Sequence, residues 1–105
     1  MKLCLDTNAY SAFKKGQPNA IEVLEEADHI FIPMVVVGEL YAGFELGSRF
    51  KENERGLLDF LNAPGVEAVP VDRSIAERYG HLIKQLTLNG TPIPTNDVWI
   101  AATVF

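Results

Sequence analysis

The sequence is poor in cysteine and in long apolar runs, and each shortage argues against a class of protein. Cys4 is the single cysteine among 105 residues, so no internal disulfide can form and a reducing compartment is favoured. No apolar run reaches the about 20 residues that a membrane-spanning helix needs. Only a few apolar residues precede Asp6, fewer than a signal peptide requires. We therefore expect a cytoplasmic protein with no membrane partner.

Positive charge is also scarce. The chain has 9 Lys and Arg against 14 Asp and Glu, and its formal net charge of −5 argues against binding nucleic acid by phosphate neutralisation alone. This objection weakens if the acids surround a metal pocket, because a bound divalent ion reverses the local field. The cations that could form a rim around such a pocket, each more simply explained as solvated surface, are Lys14, Lys15, Arg49, Lys51 and Arg55.

Several catalytic signatures are missing. The sequence contains no GxxxxGK[ST] or GxGxxG loop for nucleotide phosphates and no GxSxG turn for a serine nucleophile. His29 and His81 have no ligand partner at the spacing of a zinc site, so zinc is disfavoured. The side chains left to carry chemistry are the acids.

Short apolar segments alternate with helical ones along the chain. Strands are predicted at residues 2–5, 30–32 and 66–71, where the branched apolar composition suits strands covered on both faces. The i, i+4, i+7 spacing predicts a helix over 74–88, and other helices are predicted after Pro18 and before Pro64. Strands separated by helices indicate an α/β fold with a parallel sheet, and we expect one domain over residues 1–105.

The carboxyl end of the sequence breaks this alternation. After Asp97 the chain is almost wholly apolar to Phe105, which predicts a buried helix, and no further strand follows to lie beside the first one. We therefore expect a chain truncated at its C-terminal end, whose sheet edge and apolar helix are covered by a partner chain. The alternative is that the domain simply ends there.

Three acids stand in segments that the apolar pattern predicts to be buried. Asp6 ends the first strand segment, Glu39 interrupts the apolar run 34–44, and Asp97 opens the last apolar run. A buried carboxylate without a partner costs several kcal/mol, so these groups call for a counter-ion. If the three converge, an all-oxygen ligand set favours Mg²⁺ or Mn²⁺.

Each acid also has a structural explanation. Asp6, followed by Thr7 and Asn8, is an ordinary helix cap, and capping explains it as well as catalysis does. Glu39 could be a partly exposed residue at the edge of a helix, although its helical neighbours Ala42 and Gly43 are small. An acid at Asp97 would be favourable to the dipole of the following helix. The prediction of a site therefore rests on the three acids together.

The segments around these acids resemble a known family. Leu5-Asp6-Thr7-Asn8, the GELYAG of residues 38–43 and the NDVWIAA of residues 96–102 are similar to the acidic motifs of PIN-domain ribonucleases, particularly the VapC-type toxins of toxin–antitoxin pairs. The resemblance implies a PIN-like parallel sheet flanked by helices. It also implies Mg²⁺- or Mn²⁺-dependent cleavage of single-stranded RNA, a homodimer and inhibition by a cognate antitoxin.

Transferred to this sequence, the resemblance makes Asp6, Glu39 and Asp97 the catalytic and metal-binding acids. Thr7 and Asn8 become candidates for contacts to the substrate or to the groups that hold the metal. The family usually has a further strand and a fourth acidic position after the segment that contains Asp97, and the sequence has neither. The alternative function is therefore an inactive, truncated toxin that retains an antitoxin-binding or dimerisation surface.

Overall fold

The sheet of the described residues has three parallel strands: β1 (Lys2–Cys4), β2 (His29–Pro33) and β3 (Val66–Val69). They lie side by side in the order β1–β2–β3. The computed structural model describes residues 1–91 and 93–104. Its strand register pairs Leu3 with Ile30 and Ile30 with Val66. The α/β fold with a parallel sheet is thus confirmed. The third strand ends before Pro70, which has no N–H to donate to a neighbouring strand.

Helices connect the strands and follow the last one. They are α1 (Thr7–Lys14), α2 (Pro18–Glu26), α3 (Met34–Leu46), α4 (Phe50–Leu61), α5 (Arg73–Asn89) and α6 (Thr95–Val104). The helix predicted over 74–88 is confirmed as α5, which Gly90 ends in the left-handed conformation with φ 67°. The helix predicted after Pro18 begins at that residue, where proline is favoured because the N–H has no partner.

One face of the sheet carries the core. Leu5, Ile30 and Ile32 are buried against the helices on that face, together with Leu57 of α4. The remaining buried members of this core, from α1, α2 and α3, are Tyr10, Leu24, Val36, Val37 and Leu40. Burial of these side chains fixes the ends of β1 and β2 and the start of α3 relative to one another.

The other face of the sheet is only partly covered, with the end of α6 beside it, so the strands are not fully covered on both faces as predicted. A groove of about 470 Å³ lies along this face, and its lining residues are Lys2, Leu3, Cys4, Phe31, Glu67, Val69, Thr103 and Val104. Residues of one strand point alternately to the two faces. The apolar segments therefore supply one buried face and one half-buried face, on which Lys2 and Glu67 are exposed.

The last two helices pack against each other. Trp99 of α6 stacks on Tyr79 of α5 with ring centroids 3.8 Å apart, and Arg78 Nη1 donates to the carbonyl oxygen of Ala102 at 3.1 Å. Val98 and Ala102 are buried, and Val104 is exposed. Much of the predicted apolar helix is therefore covered within the chain, while Phe105 lies outside the described residues. No helix in residues 1–91 and 93–104 is long and apolar enough to cross a membrane.

Candidate functional site

Asp6 lies just beyond the carboxyl end of β1 and caps α1. Its backbone is extended, and its Oδ1 accepts a hydrogen bond from the backbone N–H of Ala9 at 2.7 Å. The capping explanation of Asp6 is therefore confirmed. The carboxylate is exposed, with its second oxygen left for another interaction. Burial, and secondarily the negative charge of Asp6, raise the pKa of the nearby Cys4 thiol.

Glu39 lies on α3 and is contacted from two other helices. Thr7 Oγ1, in the first turn of α1, donates to Glu39 Oε1 at 2.7 Å. Asn96 Nδ2, in the first turn of α6, lies 3.5 Å from Glu39 Oε2, a distance at the limit of a hydrogen bond. Because β2 leads directly into α3 at Pro33, the core positions this carboxylate near the carboxyl edge of the sheet.

These contacts bring together the three segments that the sequence singled out. Asp6 immediately precedes Thr7, and Asp97 immediately follows Asn96, so both acids flank the residues that reach Glu39. Asp97 is in the first turn of α6 and is exposed. The three motifs therefore meet at one corner of the fold, where the carboxyl end of a parallel sheet places its ligand crevice.

The expectation that the three acids are buried is wrong. Asp6 and Asp97 are exposed and Glu39 is partly buried, and the described part of the chain has no buried charged side chain. Asp6 stands where a strand ends and Asp97 where a helix begins, and the side chains at such ends face solvent although the apolar runs beside them are buried. The fold therefore does not need a counter-ion at these positions.

The donor chemistry of the corner fits a hard divalent ion. Its three carboxylates offer oxygen ligands only, and exposed sites of this kind suit Mg²⁺ or Mn²⁺, which retain several waters. Within residues 1–91 and 93–104, however, no three His, Cys, Asp or Glu side chains are grouped as a metal-binding cluster. The structure brings the motifs together without closing the carboxylates around a common point.

The polar residues beside the acids have different surroundings. Thr7 contacts Glu39, whereas Asn8 is exposed on α1. Asn96 was not predicted as a site residue. The signal that could have identified it is its place directly before Asp97 at the start of a helix, where an amide can reach a residue of a neighbouring element.

The small residues beside Glu39 do not pack closely. Ala42 and Gly43 are exposed, and a Cβ built on Gly43 would meet no atom within 4 Å. The apolar neighbourhood that the sequence suggests for Glu39 is therefore open on this side of α3. Access to the carboxylate is correspondingly easy.

The chain is similar to known proteins in sequence and in fold. The family model of the PIN domain matches residues 3–105. VapBC2 from Rickettsia felis, solved bound to a DNA fragment from its promoter, has 27% sequence identity and a TM-score of 0.86, with 99% of this chain and 80% of that chain covered. VapBC-1 from nontypeable Haemophilus influenzae has 25% identity and a TM-score of 0.84, with 99% and 79% covered.

A third solved structure shares the fold. DNA-bound VapBC from Salmonella typhimurium superposes with a TM-score of 0.87 at 24% identity, and the match covers 99% of this chain and 79% of that chain. No curated protein matches the sequence. The resemblance to PIN-domain proteins of the VapC type, first seen in the three acidic motifs, is confirmed. The chain belongs to the PIN domain family.

Proposed function

We propose that this chain is a metal-dependent endoribonuclease that cleaves single-stranded RNA, the toxin of a toxin–antitoxin pair. PIN domains are generally nucleases, and the similar solved structures are VapBC complexes. The observation that carries the proposal is the double contact to Glu39 from Thr7 and Asn96, since it unites three acidic motifs from distant parts of the sequence.

In this proposal Asp6, Glu39 and Asp97 hold Mg²⁺ or Mn²⁺. When bound, the ion supplies Lewis acidity and positive charge beside the scissile phosphodiester. Thr7 orients Glu39 through its hydroxyl, and Asn8 faces the solvent side from which RNA would approach. The concentration of carboxylates also makes the corner itself repulsive to the reacting phosphate unless the metal is present, so cleavage is expected to depend on the ion.

The proposed partners follow from the same family. A cognate antitoxin would block the corner, and a homodimer would be the working assembly, in the cytoplasm. The antitoxin proposal is supported by the VapBC complexes among the similar structures.

A second candidate is an inactive chain that retains an antitoxin-binding or dimerisation surface. It is favoured by the lack of a grouped metal-binding cluster in the described part of the chain. It predicts that the purified protein leaves RNA intact with Mn²⁺ present. Mn²⁺-dependent cleavage would exclude it.

The test is cleavage of labelled single-stranded RNA by the purified chain with Mn²⁺, with and without EDTA. Asp6→Asn should abolish cleavage while preserving the fold, because asparagine also caps helices well. Asp72→Asn is a matched control: Asp72 caps α5 by accepting from the N–H of Ile75 at 2.9 Å, the role that Asp6 has in α1.

The two substitutions remove the same charge from the same kind of cap, so they separate catalysis from helix stability. Full cleavage by Asp72→Asn together with none by Asp6→Asn supports the proposal. An unchanged rate for Asp6→Asn would remove Asp6 from the site, and cleavage that persists in EDTA would contradict the dependence on metal. Glu39→Gln and Asp97→Asn extend the test to the other two acids.

A further inference from the structure

A groove of about 490 Å³ lies between α1, α3 and α4, on the core side of the candidate site. Leu40 and Phe44 of α3 contribute apolar surface to it. Its complete lining is Tyr10, Ser11, Lys14, Lys15, Leu40, Phe44, Glu52, Asn53 and Gly56. The groove thus combines apolar and aromatic surface with polar and cationic side chains.

The groove continues from the candidate site along α1. Thr7, Ser11 and Lys14 stand at i, i+4 and i+7 and so share one face of this helix. Thr7 contacts Glu39, while Ser11 and Lys14 line the groove. At 1.5 Å per residue, Lys14 lies about 10 Å from Thr7 along the helix axis, a span of roughly two nucleotides of extended single strand.

The cations of the groove have no acidic partner among the described residues. Lys14 and Lys15 are exposed and form no ion pair there. Glu52 is the carboxylate of the lining, and Arg49 Nε lies 4.0 Å from its Oε2, which offsets its charge. In a chain of net charge −5, the groove is therefore a local site of positive charge.

Lys14 lies across the groove because the opposite helix has a glycine. Its Nζ is 5.9 Å from the centre of the Tyr10 ring and would be 3.0 Å from a Cβ built on Gly56. The absence of a side chain at Gly56 leaves this space to the ammonium group. The charge is thereby held between α1 and α4, where a bound chain would pass.

We infer that this groove holds the phosphate backbone of the RNA strand that flanks the cleaved bond, with Lys14 and Lys15 as the residues that contact phosphates. The inference rests on the proposed function. A groove that combines cations with polar donors such as Ser11 and Asn53 suits single-stranded nucleic acid. The backbone of RNA carries a negative charge at every nucleotide, whereas the backbone of a polypeptide is neutral, so two adjacent unpaired ammonium groups favour RNA.

The test measures binding in place of cleavage. A short fluorescein-labelled single-stranded RNA is titrated with the full chain in EDTA at several salt concentrations, and anisotropy gives the affinity. Lys14→Gln combined with Lys15→Gln should lower the affinity about tenfold at low salt. It should also reduce the slope of log affinity against log salt by about 1.4, because each phosphate contact on a single strand contributes about 0.7.

The matched control is Lys2→Gln combined with Lys84→Gln, which removes the same charge from exposed positions outside the groove lining and outside the set of possible rim cations. If both double variants weakened RNA binding equally, the loss would reflect net charge alone and the inference would be overturned. Unchanged RNA binding by the Lys14 and Lys15 variant would also overturn it and leave the groove to a polypeptide partner. Failure of the proposed function would instead appear as wild-type protein that does not cleave RNA with Mn²⁺.

Discussion

Two regions of the molecule differ in how their side chains are packed. The sheet region, residues 1–69, contains every buried member of the main core. The helical pair, α5 and α6, packs mainly on itself through Trp99 and Tyr79 and adds only Ile100 to the periphery of that core. The candidate site bridges them, since Thr7 lies 2.7 Å from Glu39 within the sheet region and Asn96 reaches across at 3.5 Å.

We therefore expect the part of the candidate site on α6 to be the more adjustable one. Asp6 and Glu39 are fixed by a cap and by the main core, whereas Asp97 stands on α6, whose buried side chains Val98 and Ala102 lie outside that core. Elements with few buried apolar contacts are the ones that open at low cost in free energy. A small displacement of α6 is therefore the simplest way to bring Asp97 toward the other acids.

The largest expected effect comes from the core of the sheet region. Leu57 is 0% exposed and lies under α1 and the sheet, so Leu57→Ala should lower the free energy of unfolding by about 2–5 kcal/mol. A matched pair sharpens the comparison: Val36 in α3 is 0% exposed and Val98 in α6 is 1% exposed. Val36→Ala should cost more than Val98→Ala, because α6 can relax around the lost methyl groups.

Denaturant unfolding followed by circular dichroism measures all three variants. Equal losses for Val36→Ala and Val98→Ala would show that α6 is as firmly packed as the core. The distinction between the two regions would then fail.

The single tryptophan offers a direct probe of the helical pair. Trp99 is the chain's one Trp and stacks on Tyr79, so its fluorescence reports the contact between α5 and α6. We expect its denaturant midpoint to lie below the midpoint seen by circular dichroism, because the pair should open before the core. Tyr79→Leu should widen the gap, whereas Tyr79→Phe, which keeps the ring, should leave it unchanged. If the fluorescence and circular dichroism midpoints coincided, the helical pair and the core would unfold as one cooperative unit.

The two contacts to Glu39 should differ in their effect on RNA cleavage. Thr7→Val keeps the shape of the side chain and removes a 2.7 Å hydrogen bond, so we expect a loss in kcat of about tenfold, or about 1.4 kcal/mol. Asn96→Ala removes a contact at 3.5 Å and should cost about twofold or less. The comparison requires Mn²⁺-dependent cleavage by the wild-type chain, with Thr7→Ser as the control that restores the hydroxyl.

If Asn96→Ala lowered kcat more than Thr7→Val, the contact from Asn96 would be the more important one for cleavage. This result would show that the contact from α6 tightens during the reaction and that Thr7 only stabilises the fold.

Local patterns account for the parts of the fold that the sequence predicts. Branched apolar runs predict β1 to β3, and the spacing from Ile75 to Leu86 predicts α5, because each element needs a buried stripe of its own. The order of the acidic motifs predicts the family. Exposure of Asp6 and Asp97 is not predictable in this way, since an apolar run does not reveal where its flanking element meets solvent.

Local sequence patterns also do not predict long-range contacts. Asn96 and Glu39 are 57 positions apart, and only the packing of α6 against α3 brings them together. The partly covered face of the sheet is likewise not predicted by a local pattern. The alternation of Lys2, Cys4 and Phe31 with buried neighbours becomes visible only once the strand register is known.

The smallest expected effect concerns a polar group inside the better packed region. Tyr10 is 3% exposed, and within the described residues its buried hydroxyl has no hydrogen-bond partner. Burial raises the pKa of Tyr10 from 10.0 to about 12. Because the folded state favours the protonated phenol, this contribution to stability is present below pH 10 and is lost as the pH rises from about 10 to about 12.

Tyr10→Phe should therefore change the free energy of unfolding at neutral pH by less than about 1 kcal/mol, in the stabilising direction, because it removes an unsatisfied buried hydroxyl. It should also weaken the loss of stability above pH 10. Tyr41→Phe is the contrasting variant, since its hydroxyl donates to Glu54 at 2.8 Å and its removal should destabilise the chain. If Tyr10→Phe destabilised the chain as much as Tyr41→Phe, the Tyr10 hydroxyl must have an acceptor in solution, and the core of the sheet region would be less closed than its packing indicates.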